Sequence, residues 1–295
     1  MRVLITGSSG FLGHTLTHQA ILLNHHTLAL SYQNSLNMPK AHHFSVDLSD
    51  KAALDKVFKS QNPQAVIHCA ALARVDDCER HPELSDKVNV SASEHLAKLC
   101  HEMGAKLIFC STDLVFDGLK PPYRPEDPPS PICRYGADKA KAEAKVLEMC
   151  PKATVCRLPL MFGKGPEGRK VFFETMLEKL QLGQEVKLFY DEYRTPLSSL
   201  EVANWLLWLL DQEYLPAIIH LAGDERLSRY DFGLKVARHY GLTESLLVAT
   251  SSKDSPTLAK RPADVSLDSS KAKALGFEPL SLLSQLEKLP YLTHL

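Results

Sequence analysis

Over roughly the first 160 residues, short runs rich in β-branched and apolar side chains alternate with longer stretches of helical period. The runs predict strands at Val3 to Thr6, Thr27 to Leu30, His43 to Val46, Ala65 to His68, Lys106 to Cys110 and Thr154 to Leu158. Between them, apolar positions recur at helical spacing in Phe11 to Leu23, Ala52 to Lys59, Ser85 to Met103 and Tyr135 to Met149. Gly104 supplies a stop for the third of these helices. Strands alternating with helices predict an α/β fold built on a doubly wound parallel sheet.

Between Gly118 and Ile132 stand six prolines, which forbid regular structure and predict a stiff surface loop. After residue 160 the alternation weakens. A basic loop containing Gly163, Lys164, Gly165, Gly168, Arg169 and Lys170 precedes a helical stretch, Phe172 to Gln181. A strand signal returns at Ala217 to Leu221, a helical one at Arg229 to Tyr240, and the tail from Leu267 onward reads as helical. The expected division is a dinucleotide-binding domain over 1–165, to which 189–223 returns, and a smaller C-terminal substrate-binding domain from 166–188 and 224–295.

Composition narrows the partners. Lys and Arg number 34 against 35 Asp and Glu, so the net charge of -1 argues against nucleic acid and against an anionic membrane surface. Apolar stretches such as Trp205 to Leu210 are too short to span a bilayer. The N-terminus runs straight into a strand and a glycine turn, without the layout of a signal peptide. The seven cysteines show no CxxC spacing and sit mostly in apolar patterns, as reduced core residues do. A cytoplasmic protein is the expectation.

The first strand ends in Thr6-Gly7-Ser8-Ser9-Gly10-Phe11-Leu12-Gly13, a GxxGxxG turn between a strand and an amphipathic helix. In that position Gly7 allows the turn, Gly10 lets backbone approach a pyrophosphate, and Gly13 permits close helix packing. The amides around Phe11 and Leu12 then meet the anion at the helix N-terminus. This makes the doubly wound sheet a Rossmann-type dinucleotide site. NAD sites place a carboxylate at the end of the second strand, where this chain has Ser31-Tyr32-Gln33-Asn34. The missing carboxylate removes repulsion against a 2′-phosphate, although no arginine stands nearby in sequence to favour it. The expected cofactor is NADP, with NAD as the alternative. Asp47 and Leu48 after the third strand, Cys69, Ala70 and Ala71 after the fourth, and Leu158 at the end of the sixth complete the expected cofactor contacts.

The fifth strand runs out through Cys110-Ser111-Thr112, and the helix after the proline-rich loop opens with Tyr135-Gly136-Ala137-Asp138-Lys139. The i, i+4 spacing puts Tyr135 and Lys139 on one face, about 5–6 Å apart at Cβ. An ammonium there is expected to favour the phenolate and make a phenol with an ordinary pKa near 10 a better proton relay. Thr112, Tyr135 and Lys139 are the catalytic candidates.

Glycine turn, strand-five hydroxyl and YxxxK, in that order, resemble the extended short-chain dehydrogenase/reductase superfamily. Within it, Ser111-Thr112-Asp113-Leu114-Val115-Phe116-Asp117-Gly118, the proline-rich loop and Tyr135 to Lys139 resemble dTDP-4-dehydrorhamnose reductase, as do His68 to Ala71, Val75-Asp76, Arg157 to Pro159, Arg194 to Pro196 and Lys260 to Pro262. The resemblance implies that Thr112 donates to the substrate carbonyl, Tyr135 donates the proton, and Lys139 tunes Tyr135 and holds the nicotinamide ribose. It matches Asn89 to the family's asparagine before the fifth strand. Asp113, Leu114, Arg194 and Arg261 become the substrate-binding candidates, the two arginines near a phosphate, with Arg157 a weaker third.

The implied activity is NAD(P)-dependent reduction of a keto group on a nucleotide-linked deoxysugar. Leu114 and Leu160 stand where these reductases commonly carry tyrosine and tryptophan, which leaves the sugar open. Alternatives are a nucleotide-sugar epimerase and a non-catalytic NADP-binding subunit, since the fold also resembles the regulatory β subunit of methionine adenosyltransferase. A dehydratase fits less well, because Asp113 is followed by Leu114 where that branch has glutamate. His14 and His18 are spaced like metal ligands but lack a third, so no metal is expected. Trp205 and Trp208 read as core or as a homodimer contact.

Overall fold

The computed structural model describes residues 1–34, 38–254 and 258–289. Strands β1 (Arg2–Thr6), β2 (His26–Ser31), β3 (His42–Ser45), β4 (Ala65–His68), β5 (Lys106–Thr112) and β6 (Thr154–Leu158) join Ile218–His220 in one seven-stranded sheet. Its order is Ile218–His220, β6, β5, β4, β1, β2, β3, and every pairing is parallel. The order reverses between β1 and β4, the place where ligands of open α/β sheets bind, beyond the carboxyl ends of the strands.

Both faces are covered, which explains strands such as Ala65-Val66-Ile67-His68 that are buried at every position. Alternate residues serve alternate faces. Val3, Ile5, Ile67 and Ile108 pack on one side with α1 (Phe11–Leu22) and the helix Ser199–Leu210. Leu4, Val66, Leu107 and Phe109 pack on the other with α2 (Lys51–Gln61), α5 (Ala92–Met103) and α6 (Arg134–Met149). Helix Ser199–Leu210 buries Val202, Leu206, Leu207, Leu209 and Leu210, each contributing about 1.5–3 kcal/mol. Trp205 meets Trp208 edge-on at 5.0 Å and Phe277 at 4.8 Å on this same core. A third apolar core gathers Phe162, Phe173, Leu188, Phe232, Val236 and Leu286 around the parallel pair Val186–Phe189 and Leu247–Thr250.

The stretch expected as one helix, Ser85 to Met103, is helical throughout but widens to a π-helical turn within it. Helices α3 (Val75–Arg80) and α4 (Pro82–Ser85) lead into a π-helical turn, Asp86–Ser91, before α5. The wider turn carries Asn89 inward, where its amide bonds the backbone of Leu72 on both sides, N–H to Oδ1 at 2.8 Å and Nδ2 to O at 3.1 Å. The proline-rich loop is also more than surface. Tyr123 is buried, stacks on Phe116 at 4.0 Å and bridges to Leu267, with Tyr123 N donating to Ser266 O at 2.8 Å. The C-terminal segment is helical at Ser270–Ala274 and Leu282–Glu287; the end of the expected helical tail, 290–295, lies outside the described residues.

Candidate active site

At the sheet's reversal point opens a cleft of about 720 Å³. It is lined by Gly7, Gly10, Phe11, Leu12 and Gly13 of the glycine turn, by Ser31 after β2, by Asp47 and Leu48 after β3, and by Cys69, Ala70 and Ala71 after β4. Tyr135, Lys139 and Leu158 complete its far end. Helix α1 starts with no side-chain cap at Gly10, so its first amides are left for an anion. A Cβ on Gly13 would lie 2.1 Å from the carbonyl oxygen of Gly7, so only glycine lets α1 seat this closely on the turn. Ser8 Oγ beneath the turn is buried without a hydrogen-bond partner. A long cleft with a glycine-lined, uncapped helix end in its floor fits a dinucleotide.

Two cations that local reading did not assign also line the cleft. Lys87 comes from the π-helical turn, and Arg169 comes from the basic loop after β6. Arg169 Nη1 donates to Ser9 O at 3.3 Å across 160 residues of chain. The loop's charge was visible in sequence; its position over the glycine turn was not.

Behind the cleft runs a continuous hydrogen-bond chain. Ala70 N donates to Thr6 Oγ1 at 3.2 Å, and Thr6 Oγ1 sits 2.6 Å from His68 Nδ1. Ser93 donates its hydroxyl to Asn89 O at 2.8 Å and therefore accepts from His68 Nε2 at 2.9 Å. This places the proton on Nε2 and leaves Nδ1 to accept from Thr6. Burial, with Lys139 second, lowers the His68 pKa to about 3, so the ring is neutral. Asn89 Nδ2 donates onward to Ser85 Oγ at 3.1 Å, Ser85 to Asp138 at 2.6 Å, and Arg134 Nε to Asp138 at 2.9 Å. The chain thus links the ends of β1 and β4 to the first turn of α6, which carries Tyr135.

Thr112 ends β5, its hydroxyl donating to Asp113 Oδ1 at 3.1 Å and accepting from Leu114 N at 3.2 Å. Gly136 lets α6 start against this segment: a Cβ there would meet Leu114 O at 2.0 Å. Lys139 is fully buried, with Nζ 3.8 Å from the centroid of the Phe109 ring, and burial lowers its pKa to about 8. The expectation that Lys139 pulls the Tyr135 phenol down is corrected. Burial first and Asp113 second push the phenol up, so it stays protonated at neutral pH, the form a proton donor needs.

The arginines divide differently from the sequence reading. Arg157 is buried in a bidentate pair with Glu143, Nη2 to Oε2 at 2.8 Å, and reaches Pro125 O, so it clasps β6 to α6 and the proline-rich loop. Arg194, expected near a phosphate, is enclosed: Nη1 donates to Tyr193 O at 2.6 Å, Nη2 to Pro262 O at 3.2 Å, and Nε lies 3.6 Å from Asp113. Its donors are taken up inside the fold. Arg261 is exposed, Leu114 and Leu160 are half-buried, and Asp113 is buried. All seven cysteines are free, and only Cys69 is partly exposed. Among the described residues, no group of three or more His, Cys, Asp or Glu is placed to hold a metal ion, and no helix is long and apolar enough to cross a membrane.

A parallel sheet of this order, with its cleft at the reversal point, Tyr135 and Lys139 in the cleft wall and Thr112 at the end of β5, is the architecture of the extended short-chain dehydrogenase/reductases. Within that superfamily the chain belongs to the RmlD family, whose substrate binding domain model matches residues 1–289. It is 34% identical over 281 residues to methionine adenosyltransferase 2 subunit beta of Bos taurus, covering 93% of this chain and 82% of that one. It is 31% identical over 271 residues to the probable low-salt glycan biosynthesis reductase Agl14 of Haloferax volcanii, covering 91% and 90%. The crystal structure of a dTDP-4-dehydrorhamnose reductase from Clostridium acetobutylicum matches at a TM-score of 0.87 and 27% identity, over 98% of each chain.

Proposed function

We propose that the protein is a nicotinamide-dependent reductase of a keto group on a nucleotide-linked deoxysugar. The observation that carries this reading is the placement of Tyr135 and Lys139 in the wall of the dinucleotide cleft, on a helix whose first turn packs against the segment after Thr112. In this reading the unit formed by 166–188 and 224–289 covers the sugar.

The glycine turn and the α1 amides would hold the pyrophosphate, Asp47 and Leu48 the adenosine side, and Lys139 the nicotinamide ribose. The bound nicotinamide would supply the hydride. Thr112 would turn its one hydroxyl hydrogen from Asp113 Oδ1 to the substrate carbonyl, which polarises it. Tyr135, half-buried in the cleft wall and held protonated by desolvation of its phenol, gives its proton to the oxygen as negative charge develops there. Lys139 keeps positive charge behind the phenol as that proton leaves. NADP is the favoured cofactor: no carboxylate stands among Ser31, Tyr32, Gln33 and Asn34, which line the cleft with Arg169. A preference of about tenfold or more for NADH in kcat/KM would reverse that choice.

The identity to methionine adenosyltransferase 2 subunit beta supports a second reading, a non-catalytic NADP-binding subunit. The two part on one experiment, NADPH oxidation with 4-keto-6-deoxy nucleotide sugars by the wild type and Tyr135→Phe. The reductase reading expects turnover that falls by about 10²-fold or more in the variant while NADP binding is retained. No turnover with any such sugar sinks it and leaves the binding subunit. Epimerisation without net oxidation, by protein purified with NAD bound, would replace reductase with epimerase.

A further inference from the structure

We infer that Asp113, Glu192 and Arg229 form a subsite for hydroxyl groups of a sugar ring, an assignment that rests on the nucleotide-sugar reading above. Four buried side-chain nitrogen or oxygen atoms among the described residues have no hydrogen-bond partner, and three of them converge here: Asp113 Oδ2, Glu192 Oε1 and Arg229 Nη1. Asp113 is 5% exposed and Glu192 1%. Arg194 stands between the two carboxylates, its Nε 3.6 Å from Asp113 Oδ2 and its Nη2 4.0 Å from Glu192 Oε2. Arg229 N donates to Glu192 O at 3.1 Å, and its guanidinium lies over the Phe172 ring at 4.7 Å. Burial and the neighbouring Arg194 and Arg261 oppose the charge of that guanidinium, while Glu192 and Asp113 favour it.

The chemistry selects the ligand. Two buried carboxylate oxygens require donors, and one guanidinium N–H requires an acceptor. A phosphate offers acceptors only, so it would leave both carboxylate oxygens without a donor. A sugar hydroxyl donates and accepts through one oxygen, so adjacent ring hydroxyls can satisfy all three atoms. The position agrees: Asp113 follows Thr112 and accepts its hydroxyl, while Glu192 and Arg229 flank the antiparallel pairing of Tyr193–Arg194 with Leu227–Ser228. None of the three lines the dinucleotide cleft. Any phosphate is thereby left to groups outside the triad, such as exposed Arg261.

The test is calorimetric titration at saturating NADP. The probes are dTDP-rhamnose and UDP-glucose as nucleotide sugars, and dTDP and UDP as matching nucleotides. Glu192→Gln and Arg229→Lys should each weaken the nucleotide sugar that the wild type binds by about tenfold or more, with the matching nucleotide unchanged. NADP binding reports an intact fold, and the Arg229 variant carries the test if the Glu192 variant loses it. Equal weakening of sugar and nucleotide would make this a phosphate subsite. No change in either would mean that water alone satisfies the three atoms. Each of these overturns the assignment while the substrate reading stands. A wild type that binds NADP but no nucleotide sugar refutes the substrate reading, and the subsite with it.

Discussion

Thr6 Oγ1 lies 2.6 Å from His68 Nδ1 and joins the ends of β1 and β4, the two strands between which the sheet order reverses. Thr6 also accepts from Ala70 N, and Ala70 lines the cleft. His68→Phe keeps the ring's volume but leaves the Thr6 hydroxyl without its acceptor and Ser93 Oγ without its donor. It should cost about 2–3 kcal/mol in urea unfolding and weaken NADP binding. A variant as stable as wild type, with unchanged NADP affinity, would show that this chain of bonds does not shape the cleft.

Acid should destabilise the protein through two histidines. Burial, with Lys139 second, lowers His68 to about 3, and burial, with Arg157 second, lowers His220 to about 3. The unfolded chain protonates both near pH 6.5 while the folded chain does not, so stability is fully present above that pH and is lost as pH falls towards 3. Each contributes a slope that approaches about 1.4 kcal/mol per pH unit below pH 6.5, or about 4 kcal/mol together between pH 7.5 and 5. Urea midpoints at pH 7.5 and 5 measure this, and His220→Gln should reduce the loss by about half. Equal midpoints at both pH values would contradict it.

Gly13→Ala should remove dinucleotide binding. Its methyl would overlap Gly7 O, so α1 must lift off the turn, at about 1–3 kcal/mol of stability. Thermal melting with and without NADP is the readout: a lower Tm and no shift on adding NADP are expected. A retained NADP shift would mean that the turn adapts.

Glu143→Gln leaves Arg157 buried without its counter-charge and takes the carboxylate from Ser111, whose Oγ donates to Glu143. Breaking such a pair costs about 3–5 kcal/mol. The loss should appear as a lower denaturant midpoint with an unchanged slope. A change below about 1 kcal/mol would refute the clasp.

The dinucleotide cleft was legible in the chain because its parts are contiguous. A strand buried on both faces, a glycine turn and the helix after it are written in adjacent residues, and Tyr135 and Lys139 share a face through helical spacing alone. Periodicity between Ser85 and Met103 was visible too. The π-helical turn was not, since it depends on Asn89 finding Leu72 in space.

What the sequence determined by itself was therefore the strand and helix order, the glycine turn and the shared face of Tyr135 and Lys139, all set by local spacing, while Thr112 joined them through the family resemblance. The tertiary structure alone decided the charges: Arg169 reaches Ser9 across 160 residues, Arg194 is engaged by Pro262 across 68, and Arg194 stands between Asp113 and Glu192. It also reversed the expected direction at Tyr135. The reason is physical: burial and charge belong to everything packed around a group, and no window of neighbouring residues contains that.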